Sequence, residues 1–154
     1  SESDLELAKK CGEILESFSI DYSINIFSAH RTPELLKNHL NETEKEGTKI
    51  YIAIAGLAAH LAGSIAAKTI KPVIGVPADS GPLKGIDSLL STVQMPKGIP
   101  VSTVAIGSAG AANAGYLAAQ ILSLGSEEMA KKLKSSREKN MQSVLEVNKK
   151  LSKK

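Results

Sequence analysis

Tryptophan is absent, cysteine occurs once, and only three Tyr and two Phe supply aromatic rings in 154 residues. A single cysteine excludes a disulfide framework and any multi-cysteine metal site. Scarce aromatics mean that the core is built from Ala, Ile, Leu and Val, packed closely with Gly. No G-x-G-x-x-G occurs, and no G-x-x-x-x-G-K-S/T phosphate loop, so neither common nucleotide fingerprint is present. No signal peptide is visible, which sets the cytoplasm as the expected location. The length suits one domain, 1–154, with a real core.

Charge is missing from one long stretch. Gly98 to Ser126 holds no charged residue over 29 positions. Pro100, Ser102, Thr103, Gly110, Asn113 and Gln120 interrupt it, and its period changes partway, which argues against a membrane span. Ile99 to Ile106 reads as a buried strand and Ala111 to Leu124 as a buried helix of small residues. Gly107 to Gly115 reads as a glycine-rich turn between them.

Positive charge gathers at the other end. Glu127 to Lys154 carries nine Lys or Arg and four Glu, whereas the rest carries ten basic and twelve acidic groups. That tail has no aromatics and no glycine-rich or zinc-finger signature. A solvated helix face therefore explains it better than nucleic-acid binding.

The remaining pattern alternates helix and strand. Helices are expected at Asp4–Phe18, 33–46, 58–69 and 85–93, and from Glu127 toward Leu151. Strands are expected at 22–27, 49–54 and Pro72–Val76. Cys11 falls on the stripe Leu7, Cys11, Ile14 or Leu15, Phe18, as a small buried hydrophobe. Such alternation predicts an α/β fold with a parallel sheet covered by helices on both faces. Ser1-Glu2-Ser3-Asp4 looks like a helix cap, so a first strand is expected to be missing ahead of it.

The most informative residues lie between a strand and a helix. Ser28-Ala29-His30-Arg31-Thr32-Pro33 follows the 22–27 segment, with Thr32 as N-cap and Pro33 at the first helical position. Open α/β sheets place ligands at such strand ends. Exposed N–H groups and Arg31 suit an anion, and His30 suits proton transfer near neutral pH. The competing reading is a His-Arg pair that merely solvates a loop. Ala55-Gly56-Leu57-Ala58-Ala59-His60-Leu61 arrives at the same sheet edge, with small residues that allow close backbone approach. There His60 reads either as a second proton carrier or as a structural histidine.

These stretches, together with Asp87-Ser88-Leu89-Leu90-Ser91, Val93-Gln94-Met95-Pro96, Gly98-Ile99-Pro100 and Ala109 to Gly115, resemble the N5-carboxyaminoimidazole ribonucleotide mutase family. The likeness runs in order to about Leu124. It implies a flavodoxin-like three-layer αβα sandwich and a homo-octamer. It also implies an isomerase of de novo purine synthesis that needs no metal or organic cofactor. By the same resemblance, His30 is the general acid/base. Ser3, Ser28 and Arg31 bind the phosphate, and Ser1 and Asp4 belong to the ribotide-binding loop. Gly56, Ala58 and Leu61 enclose the imidazole and the transferred carboxylate, with His60 nearby. The C-terminal helix, about 126–154, is expected to make subunit contacts.

Two departures from the family stand out: Ala62 replaces the usual proline, and Ala78 to Leu83 is an unusual loop with Asp79 and Pro82. Two other functions remain open: a carboxylase that adds free CO2 to aminoimidazole ribonucleotide, and a non-catalytic nucleotide-binding scaffold. Ala58-Ala59-His60-Leu61 is the mutase-like form of the segment that separates the two enzymes.

Overall fold

Side chains alternate along β1 (Tyr51–Ala55) and β2 (Val73–Pro77), and the alternation sorts them onto two helical layers. The computed structural model describes residues 4–152. On one face Tyr51, Ala53 and Val73 pack with Leu36 and Leu40 of α2 (Pro33–Lys45) and Ile65 of α3 (Leu61–Ala66). On the other, Ile74 and Val76 meet Cys11 and Leu15 of α1 (Leu5–Ser17) and Ala111, Ala114 and Ala118 of α5 (Gly107–Ser123). The expected three-layer, flavodoxin-like α/β architecture is therefore present.

The sheet is parallel, in the order β1-β2-β3, with β3 reduced to Ser102–Thr103. The strand expected over 99–106 is thus much shorter. It lies at the sheet's outer edge, and Pro100 lacks a donor for the ladder. Helix α4 (Ile86–Val93) presses on β2 through Gly75, where a Cβ would collide with Thr92 and Val101.

Three other expectations need correction. Segment 22–27 is not a strand: Tyr22, Ile24 and Ile26 are exposed, and no described segment pairs with it. Alternating character shows that a segment can pair, but only a neighbour makes it a strand. A cleft of about 750 Å³ separates this stretch from β1, lined by Ile20, Tyr22, Ile24, Ile50, Ile52 and Ile54 among others. The helix expected over 58–69 shrinks to α3, because Leu57 turns left-handed (φ 55°) and the chain first enters a helix beyond His60. The glycine-rich turn is instead the start of α5. Gly110 sits against the carbonyl of Ala105, and Gly115 lets Ile14 of α1 approach closely.

The stripe on α1 is as expected, with Cys11, Leu15 and Phe18 buried. Helix α6 (Glu127–Leu151) starts at Ser126, whose hydroxyl accepts from the Met129 N–H at 3.2 Å. Lys132 ties its first half down by donating to the Phe18 carbonyl and to Ser19 Oγ, each at 3.3 Å. Its second half leaves Met141, Val144, Leu145 and Leu151 exposed. Among the described residues no helix is long and apolar enough to cross a membrane. Expectations attached to Ser1, Ser3 and a strand ahead of them lie outside the described residues.

Candidate active site

The loop before α2 is wound on its own side chains. Thr32 stands at the N-cap position, as its sequence context predicts, but its hydroxyl does not cap the helix. It turns back, donating to the Ser28 carbonyl at 3.1 Å and accepting from the Ser28 N–H at 2.9 Å. Ser28 Oγ in turn accepts from the Arg31 backbone N–H at 3.1 Å and from Arg31 Nε at 3.4 Å. The N–H groups of the first turn of α2 are left without a side-chain cap, beside a guanidinium. That arrangement favours an anion.

The end of β1 supplies the opposite wall. After Ala55 the chain passes through Gly56 and the left-handed Leu57, a conformation that costs a non-glycine residue about 1–2 kcal/mol. The turn leaves Ala58 exposed and sets His60 at the N-cap position of α3. His30 and His60 then meet: Nε2 of His30 lies 2.6 Å from Nδ1 of His60, with the rings 65° apart.

One cavity of about 590 Å³ unites the two walls, in the range of small-molecule sites. Asp4, Ser28, His30, Arg31, Gly56, Ala58, His60 and Leu61 all line it. Every proposed site residue within the described chain is thus brought to one place. The larger cleft beside 22–27 holds His39 and Lys49 but neither a second histidine nor an arginine. Among the described residues no group of three or more His, Cys, Asp or Glu is placed to hold a metal ion.

Ser80 is the site residue that sequence reasoning passed over. It lines the same cavity, and its hydroxyl lies so near Gly56 that a Cβ there would collide with it. Its only signal is its place in the unusual 78–83 loop. Of the two departures from the family pattern, the 78–83 loop reaches the cavity, through Ser80. Ala62 is buried against the sheet beside Gly75, and the Asp79 carboxylate rests over Gly107 at the start of α5.

A family model described as AIR carboxylase matches residues 1–143. The chain belongs to the AIR carboxylase family. Among its relatives, the N5-carboxyaminoimidazole ribonucleotide mutase of Bacillus subtilis is 52% identical over 146 residues, 95% of this chain and 90% of that one. The protein of the same name from Thermotoga maritima is 51% identical over 146 residues, 95% of this chain and 84% of that one. The crystal structure of Treponema denticola PurE superposes with a TM-score of 0.89 at 37% identity, covering 98% of this chain and 93% of that one. Family membership and the three-layer fold therefore agree.

Proposed function

We propose that this chain interconverts N5-carboxyaminoimidazole ribonucleotide and its 4-carboxy isomer, as an isomerase of de novo purine synthesis. The observation that carries this reading is the 52% identity, across 95% of the chain, to a relative bearing the mutase name. Convergence of His30, Arg31 and the small residues at Gly56 and Ala58 on one cavity supports it.

A carboxylate on nitrogen is a carbamate, and its C–N bond breaks readily once that nitrogen gains a proton. His30 delivers the proton, and CO2 departs. The freed aminoimidazole is an enamine, so its C4 attacks the CO2 and forms the new C–C bond. His30 then removes the proton on C4 and restores aromaticity. One proton is given and one returned, so the cycle balances without a co-reactant.

Holding CO2 between these steps is the harder task. The close backbone at Gly56 and Ala58, with Leu61 behind, forms the enclosure. Arg31, Ser28 and Ser3 take the phosphate, where a guanidinium beside free helix N–H groups favours a dianion. Ser1 and Asp4 belong to the ribotide-binding loop. No metal or organic cofactor enters this scheme.

Residues 1–154 act as a single catalytic domain. The outer half of α6, with Met141, Val144 and Leu145 exposed, contacts neighbouring subunits of a homo-octamer. The enzyme works in the cytoplasm on a small ribotide, with neither nucleic acid nor membrane as partner.

The family description itself names a carboxylase, which keeps direct addition of CO2 as the second reading. Two assays separate them: the N-carboxylated ribotide alone, and the uncarboxylated ribotide with bicarbonate but no ATP. Rapid formation of the C4-carboxylated product from the first alone is expected. Product from the second at physiological CO2 would transfer the chain to the carboxylase reading.

A further inference from the structure

We infer that His60 is a positioning residue for His30, sharing one proton with it and thereby fixing which His30 nitrogen faces the ribotide. This rests on the reading of His30 as the general acid/base and adds a role for its neighbour. The distance requires a shared proton. At 2.6 Å, His30 Nε2 and His60 Nδ1 cannot both present lone pairs, which repel, nor both present N–H groups, which collide. One proton lies between them. Neither imidazole makes another side-chain hydrogen bond among the described residues.

The consequence is a division of labour between the two nitrogens of His30. Its Nε2 is committed to His60, so Nδ1 is the nitrogen left to exchange a proton with substrate. When Nδ1 is unprotonated, His30 Nε2–H donates to His60 Nδ1 and the Nδ1 lone pair is a base. When Nδ1 takes the proton from C4, the same Nε2–H···Nδ1 bond holds and spreads the new positive charge toward a neutral acceptor. The ring therefore needs no flip and no change of partner between giving and taking a proton. A histidine without this neighbour divides itself between two tautomers, only one of which presents the correct atom.

The backbone holds His60 for this task. Its N–H donates to the Ala58 carbonyl at 2.9 Å, and its own carbonyl accepts from the Ser64 N–H at 2.9 Å as α3 begins. The turn at Gly56 and Leu57 that shapes the carboxylate enclosure thus also delivers the ring. His30 is steadied from the other side by the Ser28–Thr32 turn. Each imidazole therefore stands on a separately braced loop, and the hydrogen bond joins the two walls of the cavity.

Two measurements on full-length protein test this. The first reads nitrogen-15 imidazole shifts without substrate, so it does not depend on the reaction being named correctly. Three histidines simplify the spectrum, and His39, tilted against Phe27 with ring centres 4.8 Å apart, is an internal reference. In the parent, neutral His30, the form that takes the proton from C4, is expected as a single tautomer with its proton on Nε2. His60→Leu should give mixed tautomers at His30 and leave His39 unchanged. An unaltered His30 spectrum in that variant, or a parent His30 protonated at Nδ1 alone, overturns the proposal.

The second measurement is kinetic. His60→Leu should lower kcat by about tenfold or more with KM changed less than about twofold, since a proton-transfer group is misaligned while the phosphate is still held. His60→Asn, whose Oδ1 stands close to the place of Nδ1 and accepts a hydrogen bond, should recover most of kcat. Equal damage in Leu and Asn variants, or a loss confined to KM, would mean that His60 serves only to shape the wall. A parent inactive on both ribotides, with the tautomer result intact, would instead sink the reading of the reaction and leave the histidine pair standing.

Discussion

Ser80 holds its hydroxyl against Gly56, so that the loop after β2 and the turn after β1 close together on one wall of the cavity. A methyl group on Gly56 would collide with that hydroxyl and touch Ala78 Cβ at 3.5 Å. The colliding atom is the end of a flexible side chain, so Ser80 can swing away. Gly56→Ala is therefore expected to fold with stability within about 0.5 kcal/mol of the parent. What changes is the space that holds CO2. Release of uncarboxylated ribotide relative to product should rise, and turnover should fall by about tenfold. An unchanged product ratio would remove Gly56 from the enclosure.

Gly110 makes the opposite case. A Cβ there would strike the Ala105 carbonyl oxygen, a backbone atom that cannot swing aside. Gly110→Ala should cost about 1–3 kcal/mol, the usual range for overpacking, although alanine is the better helix former. Urea denaturation reads this as a lower midpoint with unchanged slope. A stabilised variant would show that the start of α5 gives way.

These two glycines also mark how far sequence patterns reach. The stripe Leu7, Cys11, Leu15, Phe18 is legible because apolar side chains recur at helical spacing whatever they pack on. Gly107 to Gly115 misleads, since each helical glycine costs up to about 1 kcal/mol relative to alanine and reads as a breaker. Close packing of Gly110 on Ala105 and Gly115 on Ile14 decides the outcome; the first is a contact across five residues that no hydrophobic pattern records, and the second joins distant parts of the chain. Segment 22–27 misleads for a related reason: its alternation is visible, but its pairing depends on another segment. At the site, His30 and Arg31 stand out because a strand end meets a helix start. The arrival of His60 at the same sheet edge is legible too, whereas its contact with His30 and the approach of Ser80 are tertiary facts, set by the turn at Gly56 and Leu57.

Arg31 should separate binding from chemistry. Its Nε reaches Ser28 Oγ at 3.4 Å, which holds the guanidinium at the mouth of α2. Arg31→Met is expected to raise KM for the ribotide by about tenfold or more, because a charge-assisted contact to phosphate is lost, with a smaller effect on kcat. A loss confined to kcat would place Arg31 at the reacting carboxylate instead.

Cys11 predicts a pH dependence of stability. Burial raises its thiol from an ordinary 9.0 to about 11. Between those values the unfolded chain has lost the proton that the native state keeps. The contribution is therefore complete below the unfolded value and is lost as pH rises toward about 11. Urea midpoints of the parent and Cys11→Ala, compared at about pH 8 and about pH 10.5, should converge at the higher pH. Parallel midpoints would mean that the thiol is not protected. The same burial should keep Cys11 unreactive toward thiol reagents until the protein unfolds.

His30→Asn carries the strongest test of the chemistry. Asparagine keeps a polar side chain on the braced 28–32 loop but cannot exchange a proton near neutral pH. Phosphate binding through Arg31 and the first turn of α2 should survive, so ribotide affinity is expected within about threefold of the parent. Turnover should fall by about a hundredfold or more, the scale of general acid–base catalysis. The two half-reactions refine this. Because the same histidine gives the first proton and takes the second, release of CO2 from the carbamate and its capture at C4 should fall together. If only one of them fell, the proton would travel by two groups, and His60, 2.6 Å away, would be the other.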